Sequence, residues 1–275
     1  MSGEEIAVLF SGGTDSTLAA ALMQESFSRV HLVTYDRFGL HAIENTSVNA
    51  KILQRKYGES KYVHRIMNVD RLFRHLSYER YFRNWYRYGF FLLSTCGLCK
   101  LAMHARTVQY CLDNGVKNVC DGASRGMSLF PDQMRCVMAE FRRMYAHFGL
   151  QYANPVYAMA PPREKGYVHP ANLELIPALV SRQTAPGGET PGQKLYKLGL
   201  APEPDVKGSP YDRERQARCF QLILFNFFAL GYFNAPDNHD SYCRKTREFF
   251  KDKVAHATRL IAEHRSQARH GALFT

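Results

Sequence analysis

The chain has no apolar run long enough to cross a bilayer, no low-complexity segment and no visible repeat within its 275 residues. These absences argue against a membrane-spanning protein and against a repeat protein. Its seven cysteines are an odd number, which argues against a disulfide framework and favours thiol or metal chemistry for some of them. The acidic start, Met1 to Glu5, runs straight into an apolar segment without signal-peptide features, so we expect a cytoplasmic protein with no membrane partner.

Charge is the clearest compositional feature that is present. The formal net charge is +11 and the sequence pI is about 9.3, while 45% of the residues are hydrophobic. The apolar share is ample for a buried core. A basic surface suits a polyanionic partner such as RNA, and it equally suits a basic enzyme that acts on nucleotides.

A serine- and glycine-rich turn, Ser11–Thr17, joins an apolar strand over Ile6–Phe10 to a helix that includes Leu18–Met23. Free backbone N–H groups and the positive end of the helix dipole make such a turn suitable for phosphate. Gly12 and Gly13 allow close approach to an anion, the hydroxyl groups add donors, and Asp15 fits either a metal ion or a helix cap. The alternative is an ordinary strand–turn–helix connection. No Gly-Lys-Ser/Thr sequence and no GxGxxG spacing is present.

Strands and helices alternate through the first part of the chain. Further strands are predicted over Val30–Tyr35, Lys61–Val69, Lys117–Cys120 and Leu150–Met159, and helices over Ala42–Tyr57, Leu101–Asn114 and from Pro131 to Phe148. This order predicts a parallel sheet, whose ligands bind at the carboxyl ends of the strands. Ser11–Ser16, Tyr35–Asp36 and Asp70 would meet at that edge.

Residues 71–94 interrupt the alternation with five arginines among aromatic residues. Such a mixture can grip phosphates and stack on bases, and it is also typical of protein interfaces, here of a homodimer. The simplest interpretation is an amphipathic helix whose aromatic residues pack inward.

Beyond residue 160 the chain is predicted to form a mostly helical C-terminal appendage, residues 161–275, following an α/β domain over residues 1–160. A long helix is predicted over Asp212–Phe233, with a very apolar second half, and a basic amphipathic helix over Ser241–His270.

Cys96-x-x-Cys99, followed by Lys100, stands at the expected start of a helix. Two thiols at this spacing can share a metal ion, form a disulfide or carry sulfur as a persulfide. The helix N-terminus and Lys100 are expected to lower the thiol pKa values. A metal centre needs further ligands, and Cys219, expected at the start of a buried helix, is the preferred third thiol, followed by Cys243. Cys111 and Cys136 are placed in the middle of helices, and Cys111 is expected to be a buried small apolar residue. Cys120 ends a strand beside the predicted site.

The string Ser-Gly-Gly-Thr-Asp-Ser at Ser11–Ser16 resembles the SGGxDS signature of the PP-loop (N-type) ATP pyrophosphatase superfamily. With Cys96-x-x-Cys99-Lys100, the chain looks like the sulfur-inserting, tRNA-thiolation-like branch, over roughly residues 5–160. The resemblance implies a Rossmann-like, adenine nucleotide alpha-hydrolase-like fold with helices on both faces of a parallel sheet. It also implies ATP and Mg²⁺ at Ser11, Gly12, Gly13, Asp15, Ser16 and Thr17, with Tyr35, Asp36 and Gly122 lining the nucleotide site.

The resemblance implies that a substrate oxygen attacks the α-phosphate of ATP and that sulfur then replaces the AMP ester. Cys96, Cys99, Asp15 and Lys100 would be catalytic. Cys96, Cys99 and Cys219 would hold a [4Fe-4S] cluster, or zinc as the alternative. A nucleobase, nucleotide or tRNA would be the acceptor, and a cysteine desulfurase or another donor would supply sulfur.

Two alternatives stay open. The same adenylation could serve amidation or nitrile formation, with the two cysteines at a structural zinc. The chain could instead be an RNA- or partner-binding module that senses ATP, for which the arginine- and aromatic-rich segment 71–94 is the motive.

Overall fold

A computed structural model describes residues 3–90, 92, 96–128, 130–160, 188–220, 239–267 and 271–274. Residues 161–187 and 221–238, which include most of the apolar half of the helix predicted over Asp212–Phe233, lie outside these residues.

Seven strands and nine α-helices are formed by the described residues. The strands are β1 (Glu5–Leu9), β2 (Arg29–Asp36), β3 (Leu40–His41), β4 (Tyr62–Asn68), β5 (Asn118–Asp121), β6 (Gln151–Ala153) and β7 (Arg218–Cys219). The helices are α1 (Thr14–Met23), α2 (Thr46–Tyr57), α3 (Asp70–Tyr78), α4 (Tyr81–Tyr88), α5 (Leu98–Asn114), α6 (Arg135–His147), α7 (Pro191–Lys197), α8 (Pro210–Arg213) and α9 (His239–Gln267). None of these helices has the length and apolar character needed to cross a membrane.

The central sheet is parallel and has the strand order β4-β2-β1-β5-β6. In register, Leu9 of β1 is paired with Val33 of β2 and with Asp121 of β5, so β1 and β5 end level with each other while β2 continues three residues further, to Asp36. The chain leaves β1 toward β2 on one side and reaches β5 on the other, which makes the β1/β5 boundary the topological switch point of the sheet. Ligands of such sheets bind at that boundary. The predicted Rossmann-like α/β fold, with a parallel sheet, is confirmed.

Helices cover both faces of the sheet. On one face, alternate strand residues such as Val8 and Leu32 pack against α1, α2 and α7. On the other, Ala7 and Val33 pack with α3, α5, α6 and the long helix α9. The mostly helical C-terminal region therefore supplies α9 to the main core, as Phe249 and Phe250, both 1% exposed, illustrate. The division at residue 160 stays a prediction.

Three local expectations are wrong. Residues 214–219 do not continue a helix from Asp212: α8 ends at Arg213, and Cys219 lies in β7, which pairs antiparallel with β3. The fifth strand, predicted over Leu150–Met159, is only three residues long. Cys136 is the second residue of α6 rather than a mid-helix residue, because α6 is preceded by a separate 3-10 turn. By contrast, Cys111 is a fully buried small apolar residue, as expected.

Candidate active site at the switch point

The Ser11–Ser16 loop closes tightly on itself. The hydroxyl groups of Ser11 and Ser16 are 3.1 Å apart, and the Ser16 hydroxyl donates to the Gly13 carbonyl at 3.1 Å. Thr17 is buried and its hydroxyl donates to the Gly12 carbonyl, so it supports the loop from inside. Gly12 has a φ of 78°, a conformation that favours glycine. The sequence thus folds into a strand–loop–helix with its hydroxyl groups gathered at the start of α1.

At two positions the backbone at this loop lies so close to another segment that only glycine fits. A Cβ atom on Gly122, which follows β5, would lie 2.5 Å from the Ser16 nitrogen and 2.8 Å from the Asp15 carbonyl carbon. A Cβ atom on Gly12 would lie 2.2 Å from the Arg215 carbonyl oxygen. The loops after β1 and β5 therefore touch, and the residue 215 region lies directly over the first of them.

Asp15 faces a lysine that local sequence patterns did not single out. Lys207 forms an ion pair with Asp15 Oδ2, and its Nζ atom is 3.5 Å from the Ser124 hydroxyl. The second carboxylate oxygen, Asp15 Oδ1, is buried and accepts no hydrogen bond from the described residues. A buried carboxylate oxygen without a donor is a suitable ligand for a hard cation such as Mg²⁺.

Asp212 caps the start of α1. Its Oδ1 atom accepts from the Thr14 amide at 2.9 Å and from the Thr14 hydroxyl at 2.7 Å. Its Oδ2 atom accepts from the Gly208 amide at 2.9 Å and from the Gln216 side chain at 3.3 Å. The residue is 6% exposed. The Asp212 carboxylate therefore already accepts a hydrogen bond from one backbone amide at the helix N-terminus, where negative charge is favoured.

The three predicted thiols meet around a buried arginine. Arg37, which follows β2 and is 4% exposed, donates from Nη2 to Cys219 Sγ at 3.3 Å and also contacts the Cys99 thiol. Cys96 is within electrostatic reach of both other thiols and of Arg37. The backbone joins this cluster to the loop, because the Ala217 amide donates to the Ser11 carbonyl at 3.4 Å. Cys219 is two residues after Ala217, so an extended chain places it at most about 7 Å further along.

The expected lowering of the thiol pKa values is wrong. Burial raises the pKa of Cys96 well above its usual value and raises that of Cys99, although the Arg37 guanidinium acts against both shifts. Desolvation of the thiolate thus outweighs the helix N-terminus, even though α5 starts at Leu98 and includes Cys99 in its first turn.

Lys100 forms an ion pair with a carboxylate, although Cys99 is also within its electrostatic reach. Its Nζ atom lies 3.2 Å from Oδ2 of Asp121, a fully buried residue at the end of β5. Burial alone would raise the pKa of Asp121, but Lys100, His104 and several hydrogen bonds together lower it. Those bonds are donated by the Ala123 amide at 3.0 Å and the Asn154 side-chain amide at 2.7 Å, and the Tyr152 hydroxyl also donates to Asp121 at 2.9 Å. Asp121 is therefore an ionised, fully paired group behind the switch point.

Asp132 is a second residue that sequence patterns did not reveal. It lies in the 3-10 turn Pro131–Gln133, near Lys100, Cys96 and Cys99. Burial raises its pKa to about 6, and Asp121 adds to the shift while Lys100 opposes it. His104 has its pKa lowered to about 3 by burial and by Lys100, so it is neutral near pH 7. Strongly shifted carboxyl groups in a cleft are typical of functional sites.

Tyr35 and Asp36, the predicted nucleotide-binding residues at the end of β2, lie at the sheet edge with their backbone. The Asp36 carbonyl accepts from the Val69 amide at the shared ends of β2 and β4. The Tyr35 side chain is buried in the core, where its hydroxyl lies 2.5 Å from the Thr107 hydroxyl, and burial raises its pKa. Tyr35 thus contributes its backbone to the sheet edge and its side chain to the core.

The donor set does not fit a preassembled metal centre. Among the side chains that the structure describes, no three of His, Cys, Asp or Glu are arranged to hold a metal ion. Arg37 lies between Cys99 and Cys219, where a cluster or zinc ion would need the space. The thiols are gathered as predicted, but around a guanidinium group.

The fold and site together define a Rossmann-like parallel α/β protein with a serine- and glycine-rich loop at its switch point. No family model and no curated protein sequence matches the chain. Among solved structures it is similar to the crystal structure of a predicted subunit of tRNA methyltransferase from Methanocaldococcus jannaschii. The two share 18% identity over 78% of this chain and 96% of that chain, with a TM-score of 0.38. At this level the likeness adds nothing to the functional assignment.

Proposed function

We propose that the chain is an ATP-dependent adenylating enzyme that activates a substrate oxygen as an AMP ester and replaces it with sulfur. The acceptor would be a nucleobase, a nucleotide or tRNA. One observation carries the proposal: a phosphate-type loop and a group of three thiols are joined by three residues, 217–219, at the switch point of one parallel sheet. A protein that only senses ATP has no evident use for thiols in that position.

The residues of the loop fit ATP with Mg²⁺. Ser11, Gly13 and Ser16 place hydroxyl and amide donors at the start of α1, and Lys207 adds a positive charge at its mouth. The Oδ1 atom of Asp15, which accepts no hydrogen bond from the described part of the chain, would hold Mg²⁺. When bound, that ion would neutralise charge on the pyrophosphate leaving group. In the first step a substrate oxygen attacks the α-phosphorus, and the bond to pyrophosphate breaks.

The sulfur step uses the two thiols of the Cys96–Cys99 pair. A sulfur donor, such as a cysteine desulfurase, first loads one thiol as a persulfide. The terminal sulfur attacks the activated carbon, AMP leaves with the oxygen, and a mixed disulfide forms between substrate and enzyme. The other cysteine attacks the enzyme sulfur, releases the thiolated product and leaves a Cys96–Cys99 disulfide, which an external thiol reductant restores.

The chain's own groups serve this sequence. Arg37 favours the thiolate form of Cys99 against the effect of burial. Asp132, with its pKa raised to about 6, can take or give a proton beside the thiols near neutral pH. The described donors do not fit a metal centre, and the persulfide sequence needs only the two thiols of the Cys96–Cys99 pair.

Pyrophosphate release tests the first step. Wild-type protein, ATP and Mg²⁺ are incubated with unmodified tRNA transcripts in one arm and with free nucleosides in the other. We expect release in one arm and its loss in Asp15→Ala, because the carboxylate at the loop is removed. Release at the wild-type rate by Asp15→Ala would overturn the assignment of the loop.

Incorporation of ³⁵S tests the second step, with labelled cysteine and a cysteine desulfurase as the sulfur source. Cys96→Ser should release pyrophosphate normally but incorporate no sulfur, whereas Cys136→Ser, a partly buried thiol outside the Arg37 cluster, should behave as wild type. Normal sulfur incorporation by Cys96→Ser would refute the role of this thiol. Stoichiometric zinc in anaerobically purified protein would favour the amidating alternative, and a visible iron–sulfur absorption band would favour a cluster over the persulfide.

A further inference from the structure

The helices α3 and α4 have a strongly sided surface. Their inward residues Leu72, Leu76 and Tyr88 are buried in the main core. Their outward side carries large exposed aromatic residues: Tyr78 is 68% exposed, Phe82 77%, Trp85 49% and Tyr86 96%. The sequence-based expectation that the aromatic residues pack inward is wrong for these four. So many exposed rings close together are typical of a binding surface and not of an idle helix face.

These rings form a track that begins at the candidate active site. Phe38, 73% exposed, is the residue next to Arg37, and its amide donates to the Asp70 carboxylate at the start of α3. The Arg74 guanidinium lies 5.2 Å from the centre of the Phe38 ring, and Tyr78 follows one turn later. The Tyr78 and Tyr81 rings are 6.2 Å apart, and the Tyr81 and Phe82 rings 5.8 Å. Rings and the Arg74 guanidinium thus lie at intervals from Phe38, next to Arg37, along α3 to Phe82 in α4.

Positive charge borders the track. A cavity of about 180 Å³ between the α3–α4 junction, α4 and α9 is lined by Arg80, Arg83, Lys253 and Arg259, with Glu79 and Asp252 as the two carboxylates. Lys253 is 2% exposed and donates to the Leu76 and Glu79 carbonyls at 2.6 and 2.8 Å, so it holds the cavity floor in place. Arg83 and Arg259 are exposed at its rim. The exposed side of α9 continues the basic surface with Arg244, Lys245, Arg247 and Lys251.

We propose that the surface formed by Phe38, Tyr78, Phe82, Trp85 and Tyr86 with the Arg83/Arg259 cavity binds single-stranded RNA. Its rings stack on successive bases, and its arginines contact the backbone phosphates. Aromatic platforms with flanking cations are the usual means by which proteins hold unpaired nucleotides. A second copy of this chain fits less well, because two such arginine-rich faces would repel each other. The idea that this surface brings the acceptor to the thiols rests on the proposed function. It narrows the acceptor of that function to RNA.

Fluorescence anisotropy with a labelled 12-nucleotide oligouridylate, without ATP, tests the surface separately from the chemistry. We expect Tyr78→Ala/Phe82→Ala to weaken the Kd by at least about tenfold, because each base–aromatic stack contributes substantially to binding. We expect Arg83→Gln to reduce the slope of log K against log salt by about 0.7, the value for one phosphate contact in a single strand. Since these side chains are exposed, the variants should keep the wild-type unfolding midpoint.

Matched controls lie on the opposite face of the sheet. Tyr196→Ala on α7 removes a half-exposed ring, and Lys51→Gln on α2 removes an exposed cation. Both should bind the oligouridylate as wild type does. Equal losses in the controls and the test variants would overturn the proposal, as would wild-type affinity of Tyr78→Ala/Phe82→Ala. So would a wild-type dimer, seen by light scattering, that this double variant dissociates without any change in RNA affinity. RNA binding without pyrophosphate release would instead refute only the proposed chemistry.

Discussion

Replacing Asp132 by asparagine should make the stability of the protein depend less on pH. The carboxyl group lies in a 3-10 turn close to Lys100, Asp121 and the thiols, and burial with the nearby Asp121 raises its pKa from 3.8 to about 6. The folded protein therefore holds this proton more tightly than the unfolded chain does. Asparagine has nearly the same shape but cannot ionise, so the substitution removes the titration and leaves the packing nearly unchanged.

The sign and size follow from the two pKa values. Below pH 3.8 the carboxyl is protonated in both the folded and the unfolded protein. Its raised pKa therefore does not change the difference in unfolding free energy between variant and wild type in that range. Between pH 3.8 and about 6 the unfolded chain releases this proton while the fold retains it, so stability falls as the pH rises, and it levels off above pH 6. The shift of about two units corresponds to about 3 kcal/mol. The free energy of unfolding of Asp132→Asn, minus that of wild type, should therefore increase by up to about 3 kcal/mol between pH 4 and pH 7.

Urea unfolding followed by circular dichroism at pH 4, 5, 6 and 7, with a thiol reductant present, measures this difference. Asp205→Asn, which removes an exposed carboxyl, is the matched control for the loss of one surface carboxylate. A difference for Asp132→Asn that varies by less than about 0.5 kcal/mol, within the usual range of surface substitutions, would refute the inferred burial of this charge.

Three further substitutions test the site and its surroundings. Asp212→Ala should cost about 3 kcal/mol in urea unfolding, because four donors including the Thr14 amide lose a buried anionic acceptor, and Asp212→Asn should recover part of that loss. Gly122→Ala should destabilise by about 1–3 kcal/mol and weaken ATP binding in calorimetry, because its Cβ atom would lie 2.5 Å from the Ser16 nitrogen. Lys253→Met should lower the thermal midpoint by several degrees, because it leaves two carbonyl groups without their buried donor. A wild-type midpoint for any of the three would contradict the contact that it tests.

The sequence was sufficient for the parts of the fold that short-range patterns determine. The β1–loop–α1 unit, the parallel sheet and the start of α5 at the Cys96–Cys99 pair follow from apolar periodicity and turn residues close together in the chain. Contacts between residues that are close in space but far apart in the sequence could not be predicted in this way. Asp212 contacts Thr14 across 198 residues, and Lys207 contacts Asp15 across 192.

The mistaken helix at Cys219 has a similar cause. Residues 212–220 carry a pattern compatible with a helix, but β7 forms because its backbone pairs with β3, which lies early in the chain. Such pairing depends on tertiary structure and overrides weak local preference. The prediction of lowered thiol pKa values is wrong for a related reason. Burial raises these pKa values, and burial depends on the assembled core and not on the spacing between two cysteines.

The capping of α1 by Asp212 has a consequence for the order of synthesis. At 5–20 residues per second, a ribosome needs about 10–40 s to add the roughly two hundred residues between the loop and its cap. Throughout that interval the α1 amides are without Asp212, Asp15 is without Lys207, and Arg37 is without Cys219. The site is thus completed only after Cys219 has been added, so a nascent or truncated chain that ends before residue 207 lacks the Asp212 cap, the Lys207 ion pair and the Cys219 contact.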